Sequence, residues 1–130
     1  MEFEPIPADD DRIAKIIVDA ALVVHRALGP GLLESVYEVC LAHELRKRGL
    51  EVSRQVPIPI TYDGLHFEEG FRCDLLVANR LLCEIKAVVE LHPIFTAQVL
   101  TYLKFMDLRL AFLINFNERL LKDGIHRIVR

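Results

Sequence analysis

A chain of 130 residues has the length of a single domain and can bury a core of its own. Its 52% hydrophobic and 27% charged residues exclude a disordered chain, and no apolar run reaches the roughly 18–20 residues of a membrane span. The net charge of −3 argues against a general polyanion binder, yet residues 1–12 alone carry −4, which leaves +1 for the rest.

The first residues have neither the basic nor the apolar region of a signal peptide, so a cytoplasmic protein is expected, with residues 1–8 as a flexible acidic tail. Residues 9–28 read as a helix: Asp9 to Asp11 supply cap and first-turn acids, and Ile13, Ile16, Ile17, Ala20, Ala21, Val24 and Leu28 recur at helical spacing. Gly29, Pro30 and Gly31 break it. A second helix over residues 32–48 would turn Leu33, Val36, Tyr37, Cys40, Leu41 and Leu45 inward and end at Gly49. Residues 51–62 alternate as a strand, at a sheet edge because Pro57 and Pro59 lack amide donors. After the Asp63–Gly64 turn signal, strands are expected over residues 66–71, 72–78 and 81–87. A third helix starts at Pro93 and runs to about residue 106; residues 108–115 read as a buried strand and 125–129 as a peripheral one. This ααβββαββ order predicts one α/β domain spanning residues 1–130, a central mixed β-sheet flanked by helices.

Three cysteines, Cys40, Cys73 and Cys83, lack CxxC spacing and an even count. They argue against a disulfide framework or structural zinc and read as buried small apolar residues. Basic clusters at Arg46, Lys47, Arg48 and Arg54, and at Arg119, Lys122, Arg127 and Arg130, fit either solvated helix ends and tails or contacts to phosphates.

The chemistry-bearing residues stand out against apolar strands. Within residues 81–87, Glu84 and Lys86 lie two apart and so share a sheet face, and Asp74 interrupts the preceding apolar strand. Charges inside core strands are costly unless paired or bound to metal. One reading is a structural ion pair, Asp74 or Glu84 with Lys86, or Arg72 with Glu84. The other is a metal site: two carboxylates with the Ile85 carbonyl between them suit Mg²⁺ or Mn²⁺, and a neighbouring lysine can orient water.

The spacing of Asp74 to Glu84-Ile85-Lys86 resembles the D…(D/E)xK core of the PD-(D/E)XK nuclease superfamily. Gly31, Glu34 and Tyr37 resemble the GxxExxY signature that names one bacterial family in it. Further likeness runs through the segments holding Gln98 and Tyr102, Asn115 to Asn117, and Ile125 to Val129. The resemblance implies a restriction-endonuclease-like core and a divalent-metal-dependent nuclease that hydrolyses phosphodiesters of nucleic acid, DNA or RNA. It implies Glu34, Asp74, Glu84 and Ile85 as metal ligands (Mg²⁺ or Mn²⁺), Lys86 as the water-assisting group, and Gln98 and Tyr102 as the substrate-side pair. Gln98 and Tyr102, four apart on one helix face, would otherwise be a surface amide and a core aromatic. The alternative is an inactive nuclease-fold module that binds nucleic acid or assembles with protein; a homodimer is compatible with either. Two positions depart from the pattern: Cys73 replaces the proline before Asp74, and Phe95 and Thr96 stand where related sequences carry a histidine.

Register offers a sharp expectation. A two-residue turn at Asn79 and Arg80 would put Asp74 on the face opposite Glu84. The site therefore requires a one-residue offset, from a three-residue loop over residues 79–81 or from a bulge.

Overall fold

The computed structural model describes residues 4–130. Helix α1 (Ala8–Leu28) starts after Pro7 with its acids in the first turn, where they complement the helix dipole. None of those acids caps it; Asp10 turns inward instead, and Arg80 donates to it at 2.7 Å. Of the expected tail, residues 1–3 lie outside the described residues, the Glu4 carbonyl accepts a hydrogen bond from Arg109, and Ala8 already belongs to α1.

Helix α2 (Glu34–Lys47) ends as expected at Gly49. With φ of 87°, Gly49 donates to the Arg46 carbonyl while Leu50 donates to that of Leu45, satisfying the last turn. Its inward face is rotated from the expected one: Tyr37, Glu38, Leu41, Ala42 and Leu45 are buried, whereas Leu33 is 75% exposed, Val36 is exposed and Cys40 half-buried. Glu38 tolerates burial because Arg54 and Gln55 satisfy its carboxylate.

The sheet has the order β1-β2-β3-β4-β5: β1 (Val52–Tyr62), β2 (Leu65–Val77), β3 (Leu81–Lys86), β4 (Leu110–Asn115) and β5 (Ile125–Val129). β2 is one continuous strand where two were expected, and β1 takes the edge that its prolines suggested. Only β3 and β4 are parallel, and α3 (Pro93–Met106) forms the crossover between them. The sheet is therefore mixed and covered by helices on both faces, as the sequence predicted. No described helix is long and apolar enough to cross a membrane.

Alternation along the central strands divides the core. Leu110, Phe112 and Ile114 of β4, with Leu81, Cys83 and Ile85 of β3, pack towards α1 and α2. Ala111, Leu113 and Leu82 pack towards Val99 and Leu103 of α3. Period two then puts Glu84 and Lys86 on the Leu82 row, facing the α3 side. At the far end of these strands, the Phe116 amide donates to the Lys86 carbonyl, and Asn115 bonds both the amide and the carbonyl of Val88.

Tyr37 holds the connection between α1 and α2. Its hydroxyl donates to the Gly29 carbonyl at 2.6 Å and accepts from the Leu32 amide at 3.0 Å, while its ring stacks on Phe116. Replacing Tyr37 with phenylalanine keeps the stack and leaves both backbone groups without this partner. The expected loss is about 1–2 kcal/mol, read by urea denaturation; an unchanged midpoint would show that water replaces the hydroxyl.

Candidate active site

The turn after β2 sets the geometry. Val77 pairs with Leu81, Leu76 with Leu82, and Leu75 with Cys83, so residues 78–80 form a three-residue loop. Ala78 and Asn79 both adopt left-handed conformations within it. The required offset is thus present, with the loop one residue earlier than anticipated. Extended by one pair, this register puts Asp74 opposite Glu84.

At that point side chains take over from the ladder. The Asp74 amide donates to Glu84 Oε1 at 3.1 Å, and the Ile85 amide donates to Asp74 Oδ2 at 2.8 Å. The two carboxylates occupy positions where strand carbonyls would otherwise accept, so each is fixed by the other strand's backbone. Glu84 is only 7% exposed. Burial, and then the charge of Asp74, push its carboxyl up to about 8. Asp74 is also raised, by burial first, with the Ile85 amide pulling the other way and the Glu38 charge adding to the rise.

The ion-pair reading of these charges is not realised. Among the described residues neither carboxylate has a cationic partner within salt-bridge distance. Arg72 pairs with Glu69, and the Lys86 ammonium sits 4.2 Å from the centre of the Phe95 ring. Two adjacent carboxylates, one buried and one half-buried, with no salt-bridge partner among the described residues, are a donor set that fits a hard divalent cation. The fit is to two carboxylates: no group of three or more His, Cys, Asp or Glu suited to metal is found among the described residues.

The other expected residues are placed around this pair. Glu34, exposed at the start of α2, accepts from the Ala87 amide at 3.3 Å, just beyond Lys86. Ile85 bonds Asp74 through its amide, and its side chain lies in the core beneath α1 and α2. Tyr102 stacks on Phe71 with ring centres 4.0 Å apart. Burial, and then the charges of Glu84 and Asp74, raise its hydroxyl's pKa. Gln98 is exposed on α3, one turn before Tyr102.

Sequence reasoning missed a second layer. Gln55, at φ of 52° on β1, donates from Nε2 to Glu38 Oε1 at 2.6 Å and to Asp74 Oδ1 at 3.2 Å. Arg54 donates to the other oxygen of Glu38 at 2.7 Å and 3.0 Å. Glu38 was legible in principle, being four residues after Glu34 on the same helix face. Gln55 carried no signal, because its role depends on an irregular backbone conformation.

Most of the basic clusters are engaged within the chain. Arg46 bonds the Val52 carbonyl, Arg48 pairs with Asp19 and Glu44, Arg127 with Asp11, and Arg130 with Asp107. Cys73 and Cys83 are buried and free, and burial pushes the Cys73 thiol up to about 12, far from a reactive thiolate.

Residues 11–128 match the model of the PD-(D/E)XK nuclease superfamily. Comparison with curated proteins and with solved structures gives no match.

Proposed function

Because this chain belongs to the PD-(D/E)XK nuclease superfamily, we propose that it hydrolyses phosphodiester bonds of nucleic acid with Mg²⁺ or Mn²⁺. Within the superfamily we assign it to the GxxExxY family, on the strength of Gly31, Glu34 and Tyr37. The observation that carries the functional reading is the facing pair of Asp74 and Glu84, each bonded to the other strand's backbone and neither in a salt bridge among the described residues.

Asp74 and Glu84, with the Ile85 carbonyl, would hold the cation. A divalent ion bound there would acidify water and screen charge growing on a phosphoryl oxygen. Lys86 is the candidate for orienting the attacking water and offsetting negative charge at phosphorus. Held over an aromatic face and in no salt bridge among the described residues, its ammonium is free to turn to a phosphate. Tyr102 supplies a hydroxyl donor on the α3 side, and Gln98 an exposed amide one turn away. Glu34, at the Ala87 amide, steadies the end of β3 that carries Glu84 and Lys86 and adds negative charge at the metal side. Gln55 orients Asp74 from the β1 side.

The test is cleavage of single- and double-stranded DNA and RNA with Mg²⁺ or Mn²⁺, against a Lys86→Ala control. The variant should lose on the order of 10²-fold in rate, the usual cost of one preorganised electrostatic group. Equal rates in the two proteins would assign the activity to a contaminant, and no cleavage by the parent under any of these conditions would overturn the proposal.

A further inference from the structure

A cluster of basic side chains lies on the α1 side of the sheet. His25, Arg26, Gly29, Pro30, Arg119, Leu120, Leu121 and Leu22 line a cleft of about 380 Å³. Three of these residues are basic side chains and none is acidic, in a chain whose net charge is negative. Neither Arg26 nor Arg119 has an acidic partner among the described residues, whereas most other arginines of the chain are paired. His25 is nearly buried, and its Nε2 bonds the Glu118 carbonyl, which ties α1 to the segment that carries Arg119.

The cleft is also built from segments that adjoin the carboxylate site. Gly29 and Pro30 lead into Glu34, which bonds the Ala87 amide, and Tyr37 fixes that connection. Arg119 to Leu121 follow Phe116, whose amide bonds Lys86. Unpaired guanidinium groups at the rim of a cleft, held by secured backbone, are suited to a phosphate group, which arginine binds through paired donors.

We propose that this cleft binds a backbone phosphate of the nucleic-acid strand whose cleavage is assigned above to Asp74 and Glu84. The inference rests on that nuclease reading and adds where the protein grips its substrate away from the carboxylates. Arg26 and Arg119 contact the phosphate, and the leucine and proline surfaces of the cleft lie against the adjoining sugar.

The test is fluorescence anisotropy of a short labelled single-stranded oligonucleotide in EDTA, titrated across a range of salt. An Arg26→Gln/Arg119→Gln double variant is compared with Lys15→Gln/Lys104→Gln, which removes the same charge from α1 and α3 outside the cleft. The arginines are exposed and unpaired, so their replacement leaves the fold intact, which a thermal melt checks. The cleft variant should bind about tenfold or more weakly at low salt, and its salt slope should fall by about 0.7, the value for one lost single-strand phosphate contact. The control should stay within about twofold of the parent. Equal losses in the two variants would reduce the effect to overall charge and overturn the inference, as would unchanged binding by the cleft variant.

Parallel titrations with a nucleoside monophosphate separate the sources of phosphate. If the parent binds the monophosphate as tightly as the strand, and the cleft variant binds neither, the ligand is a free nucleotide and the strand assignment is overturned. The nuclease assay distinguishes the two proposals. A cleft variant that cuts and binds like the parent refutes the cleft alone, whereas a parent that neither binds nor cuts refutes the nuclease reading beneath it.

Discussion

Replacing Glu84 with glutamine should make the metal-free protein more stable near pH 8 and change it little near pH 5. The Glu84 carboxyl titrates at about 8 in the folded chain, against an ordinary value of 4.5. Between those values the folded state holds a proton that the unfolded state has released, so unfolding free energy falls as pH rises through the window. The size should be a few kcal/mol at its upper end, after allowance for relaxation of the Asp74 pair. Glutamine can still accept from the Asp74 amide and carries no charge to be desolvated, so the variant should lose the Glu84 share of this fall and keep only the part due to Asp74, which burial and Glu38 also raise. Urea melts of both proteins in EDTA at intervals from pH 5 to 8 would read this directly, and parallel curves for the two proteins would refute it. The same substitution removes one of the two proposed ligands, so cleavage should fall by at least the 10²–10³-fold typical of a lost transition-state contact. A variant that is more stable and less active is the signature of a strained functional site, and a merely structural carboxylate would not give it.

Asn115→Leu should destabilise the protein by roughly 3–5 kcal/mol, because each buried backbone group left without a partner costs about 1–3 kcal/mol. Asn115 is fully buried at the end of β4. Its Oδ1 accepts from the amides of Val88 at 3.1 Å and Asn117 at 3.2 Å, and its Nδ2 donates to the Val88 carbonyl at 2.9 Å. Leucine fills the volume and satisfies none of the three groups. The segment so released follows Lys86 and includes the Ala87 amide that holds Glu34, so activity should fall with stability. Denaturant midpoints and cleavage rates on the same preparations would show both effects; a loss below about 1 kcal/mol would mean that water enters and bonds these groups instead.

Much of the fold was readable because it follows from periodicity. The helices of residues 9–28 and 93–106, the edge position of β1 and the buried β4 all emerge from apolar spacing and from prolines without amide donors. The one misjudged face shows the limit of that method. α2 was expected to bury Leu33 and Val36, and it buries Glu38 instead, because Arg54 and Gln55 on a distant strand satisfy the carboxylate. A partner separated by about a dozen or more residues leaves no trace in helical spacing. The same applies to the site. Asp74, Glu84 and Lys86 were conspicuous as charges in apolar strands, whereas Gln55 reaches Asp74 only through a left-handed backbone on an edge strand. Neither the perch of Lys86 on Phe95 nor the seat of Glu34 on the Ala87 amide could be read from one-dimensional spacing, since the first depends on how β3 meets α3 and the second on how the end of β3 meets the start of α2.

The loop of residues 78–80 gives this protein an unusual mutational landscape. Surface turns normally absorb insertions and deletions with little consequence. Here the turn is the clock that decides whether Asp74 emerges beside Glu84 or points to the opposite face. Losing one residue from it would leave composition, core and net fold class almost untouched, yet would part the two carboxylates. A one-residue deletion there would separate the proposed ligands without altering any of them, so the length of the loop over residues 78–80 is as much a condition of the proposed site as Asp74, Glu84 and Lys86 themselves.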